Sequence, residues 1–171
     1  MTAPLVARPL SAEAFRPFGD VLEAQGDPDR IINDGHCGRW HDRARIDMAG
    51  GPAGLSIFRA SPRRFPVSIG LLERHPLGSQ AFVPMAAAPF LVVVAPDAGG
   101  LPGAPLAFVA GPGQGVNYLR GVWHAVLTPL APPGLFAVLD RVDEAPNLEE
   151  HRLPAPLVVV PDAASGAGLE I

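Results

Sequence analysis

Five histidines, one cysteine, 17 acidic residues and 13 arginines make up the chain's reactive side chains. Two short stretches hold the informative ones. ERHPLGSQAF (Glu73 to Phe82) sets two charged groups, an imidazole and an amide around a proline and a glycine, directly ahead of an apolar run. GVNYLRGVWHAV (Gly115 to Val126) places Tyr118 and His124 on either side of another glycine turn. In extended chain successive side chains alternate faces, so Glu73 and His75 share one face, and His124 alternates with the apolar Trp123 and Ala125. Gln80 opens the following apolar run, where its amide can turn toward the same space. Imidazole and carboxyl groups brought together can move protons near neutral pH or hold a metal ion. Each also has a plainer reading. Glu73 and His75 fit an ordinary surface turn, and His124 fits a satisfied polar group in a core.

The elements that must position these residues are short. The 19 glycines and 21 prolines are nearly a quarter of the 171 residues, and so many prolines forbid a mainly helical chain. Ser11 ahead of AEAF predicts a capped helical turn that Pro17 and Gly19 end. Beyond it come GDVLEA, GLSIFRA, PVSIGLLE, SQAFVPM, PFLVVVA, PLAFVA, GVNYL, VWHAVL and GLFAVLDR, all suited to strands. Gly/Pro turns separate them at intervals of about 8–12 residues, the habit of sandwiches and barrels. SQAFVPM and PFLVVVA are expected to form a hairpin, with Pro84 and Pro89 at strand ends where a missing N–H does least harm. The expected product is one antiparallel β domain over residues 1–171, with 161–171 a loose tail.

Composition narrows function further. With 18% charged residues and a net charge of −4, nothing points to nucleic acid. All 13 basic residues are arginine, which removes Schiff-base lysines and phosphate-binding P-loops. One cysteine, Cys37, excludes an internal disulfide framework and fits a reducing compartment. No stretch reaches the ~18 apolar residues of a membrane span, and the N-terminus lacks a long apolar run, so a soluble cytoplasmic protein is expected.

Read together, Glu-x-His-x4-Gln (Glu73, His75, Gln80), an apolar pair of strands, and G-x-x-Y-x-x-G-V-W-H ending at His124 resemble the two-motif signature of cupin barrels. His75 and His124 match histidines of that pattern. Glu73 stands where a first histidine would be, and Gln80 replaces a glutamate. The wording is closer still to the ureidoglycolate lyase family. LERHPLGSQAFVPM, GQGVNYLRGVWH, NDG (Asn33 to Gly35), WHD (Trp40 to Asp42), Arg59-Ala60 and LDR (Leu139 to Arg141) resemble it in order and spacing, from about Arg8 to Ala145.

This resemblance implies an all-β fold, a cupin-type double-stranded β-helix (a jelly-roll-like barrel) with a short N-terminal helix. It implies cleavage of ureidoglycolate to glyoxylate and urea, a step of allantoin degradation in purine catabolism, and a homodimer. Catalysis is expected of His75, His124 and Glu73. Substrate binding is expected of Arg59 as carboxylate clamp, with Arg141 second, and of Gln80 and Tyr118. A metal, Ni2+ in the first place, would take His75, Gln80, His124 and Glu73; a metal-free pocket is the alternative. Other functions on the same scaffold are an amidohydrolase, a metal-dependent isomerase or a non-catalytic binder of a small acid. His41-Asp42 is either a tautomer-fixing pair or a surface turn. Asn33 is read as a turn residue, Cys37 as inert, and His36 and His151 as structural or exposed.

Overall fold

The computed structural model describes residues 3–165. Strands are Leu5–Pro9 (β1), Gly19–Leu22 (β2), Arg30–Ile32 (β3), Cys37–Arg39 (β4), Ala53–Arg59 (β5), Val67–Arg74 (β6) and Gln80–Pro84 (β7). Phe90–Ala95 (β8), Leu106–Ala110 (β9), Gly115–Tyr118 (β10), Trp123–His124 (β11), Thr128–Pro129 (β12), Leu135–Arg141 (β13) and Glu149–Pro161 (β14) follow. One helical turn, Ala12–Phe15 (α1), is capped by the Ser11 hydroxyl, which accepts from Ala14 N–H.

The strands form two layers, apart from β3 and β4, which pair only with each other. The first sheet runs β11-β6-β14-β1-β9-β8-β12, and because β11 also pairs with β8 it closes into a ring of six strands. The second is open, β2-β10-β7-β13-β5. This is the nearly all-β, cupin-type barrel that the sequence predicts. The hinge of the arrangement is β8, buried along its whole length. Leu91, Val93 and Ala95 fill the ring together with Trp123, Leu72 and Val159. Phe90, Val92 and Val94 face the other way and pack with Phe82, Val116, Phe136 and Val138 of the open sheet. The unbroken apolar run FLVVVA thus reflects burial on both faces, the condition that removes polar alternation from a strand.

Several expectations need correction. SQAFVPM and PFLVVVA do not form a hairpin. β7 pairs with β10 and β13, and β8 with β9, β11 and β12, so the AAA linker carries the chain from one sheet to the other. The domain is not wholly antiparallel either, since β1 lies parallel to both β14 and β9. VWHAVL narrows to the two residues of β11. β14, absent from the sequence reading, is 13 residues long and carries prolines at 154 and 156. Its register against β6 shifts between Arg152 and Leu157, where those prolines sit, because proline donates nothing to a ladder. Of the expected tail, Pro161 ends β14 and Ala163–Ser165 form a 3-10 turn; 166–171 lie outside the described residues. Among the described residues no helix is long and apolar enough to cross a membrane.

The Phe90 and Phe136 rings meet edge to face, 5.1 Å between centroids, and join β8 to the open sheet. Phe136→Ala is expected to cost ~3–5 kcal/mol, the usual penalty for emptying a buried aromatic site. Urea unfolding checks it, and a loss below about 1 kcal/mol would mean that this contact does not tie the layers together.

Candidate active site

Between the layers, at the end where β6 and β11 face β7 and β10, polar side chains collect. His124 lies directly opposite Glu73 on β6 and opposite Val94 on β8. It therefore projects with Val94 into the inter-sheet space, while Trp123 projects into the ring. From the open sheet, Gln80 and Tyr118 are register partners and face inward beside Phe82 and Val116. One ligand atom each from Glu73, His75 and His124 lie within 4.8 Å of one another. The two imidazole centroids are 5.4 Å apart, and Tyr118 stacks flat on His124 at 4.2 Å and 2°.

The hydrogen bonds settle how each ring is turned. His75 Nδ1 lies 2.7 Å from the Asn147 carbonyl oxygen, and His124 Nδ1 lies 3.1 Å from that of Ala125. A carbonyl only accepts, so both Nδ1 atoms carry the proton, and in the neutral rings both lone pairs sit on Nε2. Gln80 is fixed in the same manner: its Nε2 donates to the Asp140 carboxylate at 3.1 Å, leaving Oε1 over. His75 Nε2, His124 Nε2 and Gln80 Oε1 are all buried without a hydrogen-bond partner, three of the four such side-chain atoms among the described residues. The fourth, on Asn117, alternates to the other face of β10 from Tyr118. With the half-buried Glu73 carboxyl the site gathers four acceptors, beside the single O–H of Tyr118. Buried polar groups are paired almost without exception, so this set calls for a ligand that brings hydrogens or positive charge. Two imidazole nitrogens, a carboxylate and an amide oxygen can hold a divalent transition-metal ion, and both rings have the carbonyl-anchored far nitrogen usual for histidine ligands.

Electrostatics separates the acceptors. Burial pushes the Glu73 carboxyl above its ordinary value of 4.5, with His75 opposing and Glu150 adding to the shift. Burial, then His75, pushes His124 down to about 3. Burial and then Glu73 raise Tyr118, which stays a phenol.

A cavity of about 350 Å3 opens onto the site, lined by Glu73, Gln80, Phe82 and Val126, with Arg59 and Ala60 at its edge. The structure thus gathers Glu73, His75, Gln80, His124 and Tyr118. Arg59 is at the rim: its register partner is Leu135, on the outer face, so the inward side chain of this strand end is Phe58. It makes no ion pair among the described residues. Arg141 is not free for a substrate carboxylate. Its guanidinium is held by Asp143 and donates to the Met48 and Ala49 carbonyls, so it ties down a turn. His41 and Asp42 form no hydrogen bond with each other among the described residues; the His41 N–H donates to Asp29. His36 falls in the turn between β3 and β4, whose Asn33, Asp34 and Gly35 all have positive φ, and His151 packs edge-on to Trp123.

Two residues of the site escaped the sequence reading. Asn147 anchors His75 through its carbonyl, and its side-chain oxygen accepts from Leu77 N–H at 2.7 Å, which fixes the turn after the histidine. Asp140 orients Gln80. Only LDR gave a signal for Asp140, and there the arginine drew the attention.

A sequence model of the ureidoglycolate lyase family matches residues 2–160. The chain is 55% identical over 156 residues to ureidoglycolate lyase of Rhodobacter capsulatus, covering 91% of this chain and 97% of that protein. It is 50% identical over 158 residues to ureidoglycolate lyase 2 of Rhizobium meliloti (91% and 97%). It is 48% identical over 154 residues to ureidoglycolate lyase of Chelativorans (89% and 93%).

The depressed His124 carries a pH signature. Between about 3 and its ordinary 6.5 the unfolded chain binds a proton on this ring that the folded chain does not, so this term lowers stability as pH falls below 6.5. Glu73, raised by burial, acts oppositely and stabilises as pH falls toward its ordinary value. In chelator-treated protein, His124→Gln should therefore lose less stability than wild type between pH 7 and about pH 5. Urea midpoints at the two pH values measure it, and parallel losses would contradict a neutral buried imidazole.

Proposed function

The chain belongs to the ureidoglycolate lyase family, and we propose that it cleaves ureidoglycolate to glyoxylate and urea in the cavity between β6/β11 and β7/β10. The convergence of three buried, unpartnered acceptors on the Glu73 carboxyl supports this reading most. The reacting carbon of ureidoglycolate bears a hydroxyl, a carboxylate and a ureido nitrogen, so the molecule arrives with the hydrogens these acceptors lack.

The reaction needs no oxidant and no covalent intermediate. The hydroxyl proton leaves, its bonding pair becomes the carbonyl of glyoxylate, the C–N bond breaks toward nitrogen, and nitrogen takes up a proton to depart as urea. Glu73 suits the proton's journey. As a carboxylate it accepts the hydroxyl proton, and its raised affinity lets it hold that proton and return it to the leaving nitrogen. His124, held neutral, accepts and orients rather than donating. Tyr118 fixes the plane of that ring by stacking. Arg59 at the rim, in no ion pair among the described residues, is a cation available to the substrate carboxylate. A divalent cation, Ni2+ on the family resemblance, would be held by Glu73, His75 Nε2 and His124 Nε2, whose ligand atoms lie within 4.8 Å of one another, with Gln80 Oε1 as the further acceptor. When bound it would supply Lewis acidity to a substrate oxygen.

Following urea, glyoxylate and ammonia separately tests the reading. Urea and glyoxylate in equal amounts are expected from wild type, and turnover at least ~10²-fold lower from Glu73→Gln. Ammonia in place of urea would make the enzyme a hydrolase. Chelator should abolish turnover and Ni2+ restore it; full activity in chelator would remove the cation.

The protein is further proposed to act in the cytoplasm, which its half-buried free Cys37 fits, and to pair with a second copy through the outer face of the open sheet. There Leu55 and Ile57 are 72% and 58% exposed, and the register sets Leu139 beside Leu55, and Ala137 between Ile57 and Val83. Such a continuous apolar stripe on an edge strand invites cover. Leu55→Glu with Ile57→Glu should convert a dimer to a monomer in light scattering; an unchanged mass would place the interface elsewhere.

A further inference from the structure

Gln80 carries an amide whose two ends have nearly the same shape, one offering two hydrogens and the other only lone pairs. Which end meets the cavity decides whether the amide adds another acceptor to the site or a donor. Nothing within the motif ERHPLGSQAF settles this.

Asp140 settles it from another strand. On β13, Phe136 and Val138 face inward, and Val138 is the register partner of Phe82; two residues on, Asp140 comes alongside Gln80 on the same face. Its carboxylate accepts from Gln80 Nε2 at 3.1 Å. A carboxylate has only lone pairs to give, so the reverse orientation would set oxygen against oxygen while turning the NH2 into the cluster. Asp140 forms no ion pair among the described residues, and neither does Glu73. Two half-buried carboxylates thus stand at the site outside any ion pair among the described residues.

We propose that Asp140 is a positioning residue that pins the Gln80 NH2 away from the cavity and so presents its carbonyl oxygen to the bound cation or substrate hydrogen. The proposal rests on the lyase reading for what the oxygen is used for, but not for the pinning itself. Asp140 touches neither substrate nor ion; it acts through the amide.

The test separates pinning from a mere effect of charge. Asp140→Asn keeps the shape and lets the Gln80 amide turn over. Titrated with Ni2+ alone, it should bind ~10-fold more weakly than wild type, the usual size for loss of a residue that orients a ligand. In a Gln80→Leu background there is no amide to orient, so adding Asp140→Asn should change Ni2+ affinity less than about 2-fold. Equal losses in both backgrounds, or none in either, overturn the proposal. A second readout needs neither metal nor turnover. The Gln80 side-chain NH2 signals, assigned by their loss in Gln80→Leu, should exchange slowly with solvent and move on Asp140→Asn; fast, unmoved signals overturn it as well. Pinned signals in a protein that releases no urea would sink the lyase reading and leave this inference standing. Urea release with unmoved signals would do the reverse.

Discussion

Both imidazoles of the site spend their one N–H on a backbone carbonyl, and the rest of the site follows from that. With Nδ1 tied to Asn147 and Ala125, each ring can meet the cavity only through a bare lone pair. Neither can turn to relieve this without stranding its N–H, since buried donors without partners are costly. Tyr118 closes the last freedom of His124 by lying flat on it. Gln80, tied at its NH2 end, joins in the same sense. The site is therefore pre-organised for a ligand that brings hydrogens or positive charge, since three acceptor atoms converge there without a protein partner.

That arrangement costs stability, and the frame around it shows where support comes from. β8 gives its whole surface to two cores, and His124 and Glu73 hang at the border between them. On the ring side of the same residues, Arg74 lies 4.5 Å from the Trp123 ring and pairs with Asp97 and Glu149, while Trp123 donates to Asp97. Each site residue on β6 and β11 thus neighbours one locked on the opposite face, which holds the short β11 in place though it has only two residues in the ladder. Rigid neighbours are what a site needs if its groups are to keep unfavourable positions.

Electrostatics divides the labour among groups that look alike in the sequence. Burial moves Glu73 upward and His124 downward, toward the neutral form in both cases. For the carboxyl this means a firmer hold on a proton; for the imidazole it means a fixed lone pair.

Much of this was legible in the chain. Alternation in ERH and VWHAV set Glu73 and His75 on one face and His124 opposite Trp123, and Gly/Pro punctuation located most strands, because turn chemistry and side-chain alternation depend only on neighbours along the chain. Partnership does not. A linker of three alanines reads as a hairpin, yet β7 and β8 enter different sheets, β7 pairing with β10 and β13 and β8 with β9, β11 and β12. β14, which no alternation in the sequence marked, accommodates two prolines because its ladder to β6 breaks where they fall. Asn147 lies 72 residues from the imidazole it anchors, and Asp140 60 from the amide it turns. Arg141, which looked like a clamp, is consumed by a turn 93 residues away. The sequence by itself determined which groups could do chemistry; only the tertiary structure decided which atom of each would face the cavity, because that choice is made by hydrogen-bond partners brought from distant strands.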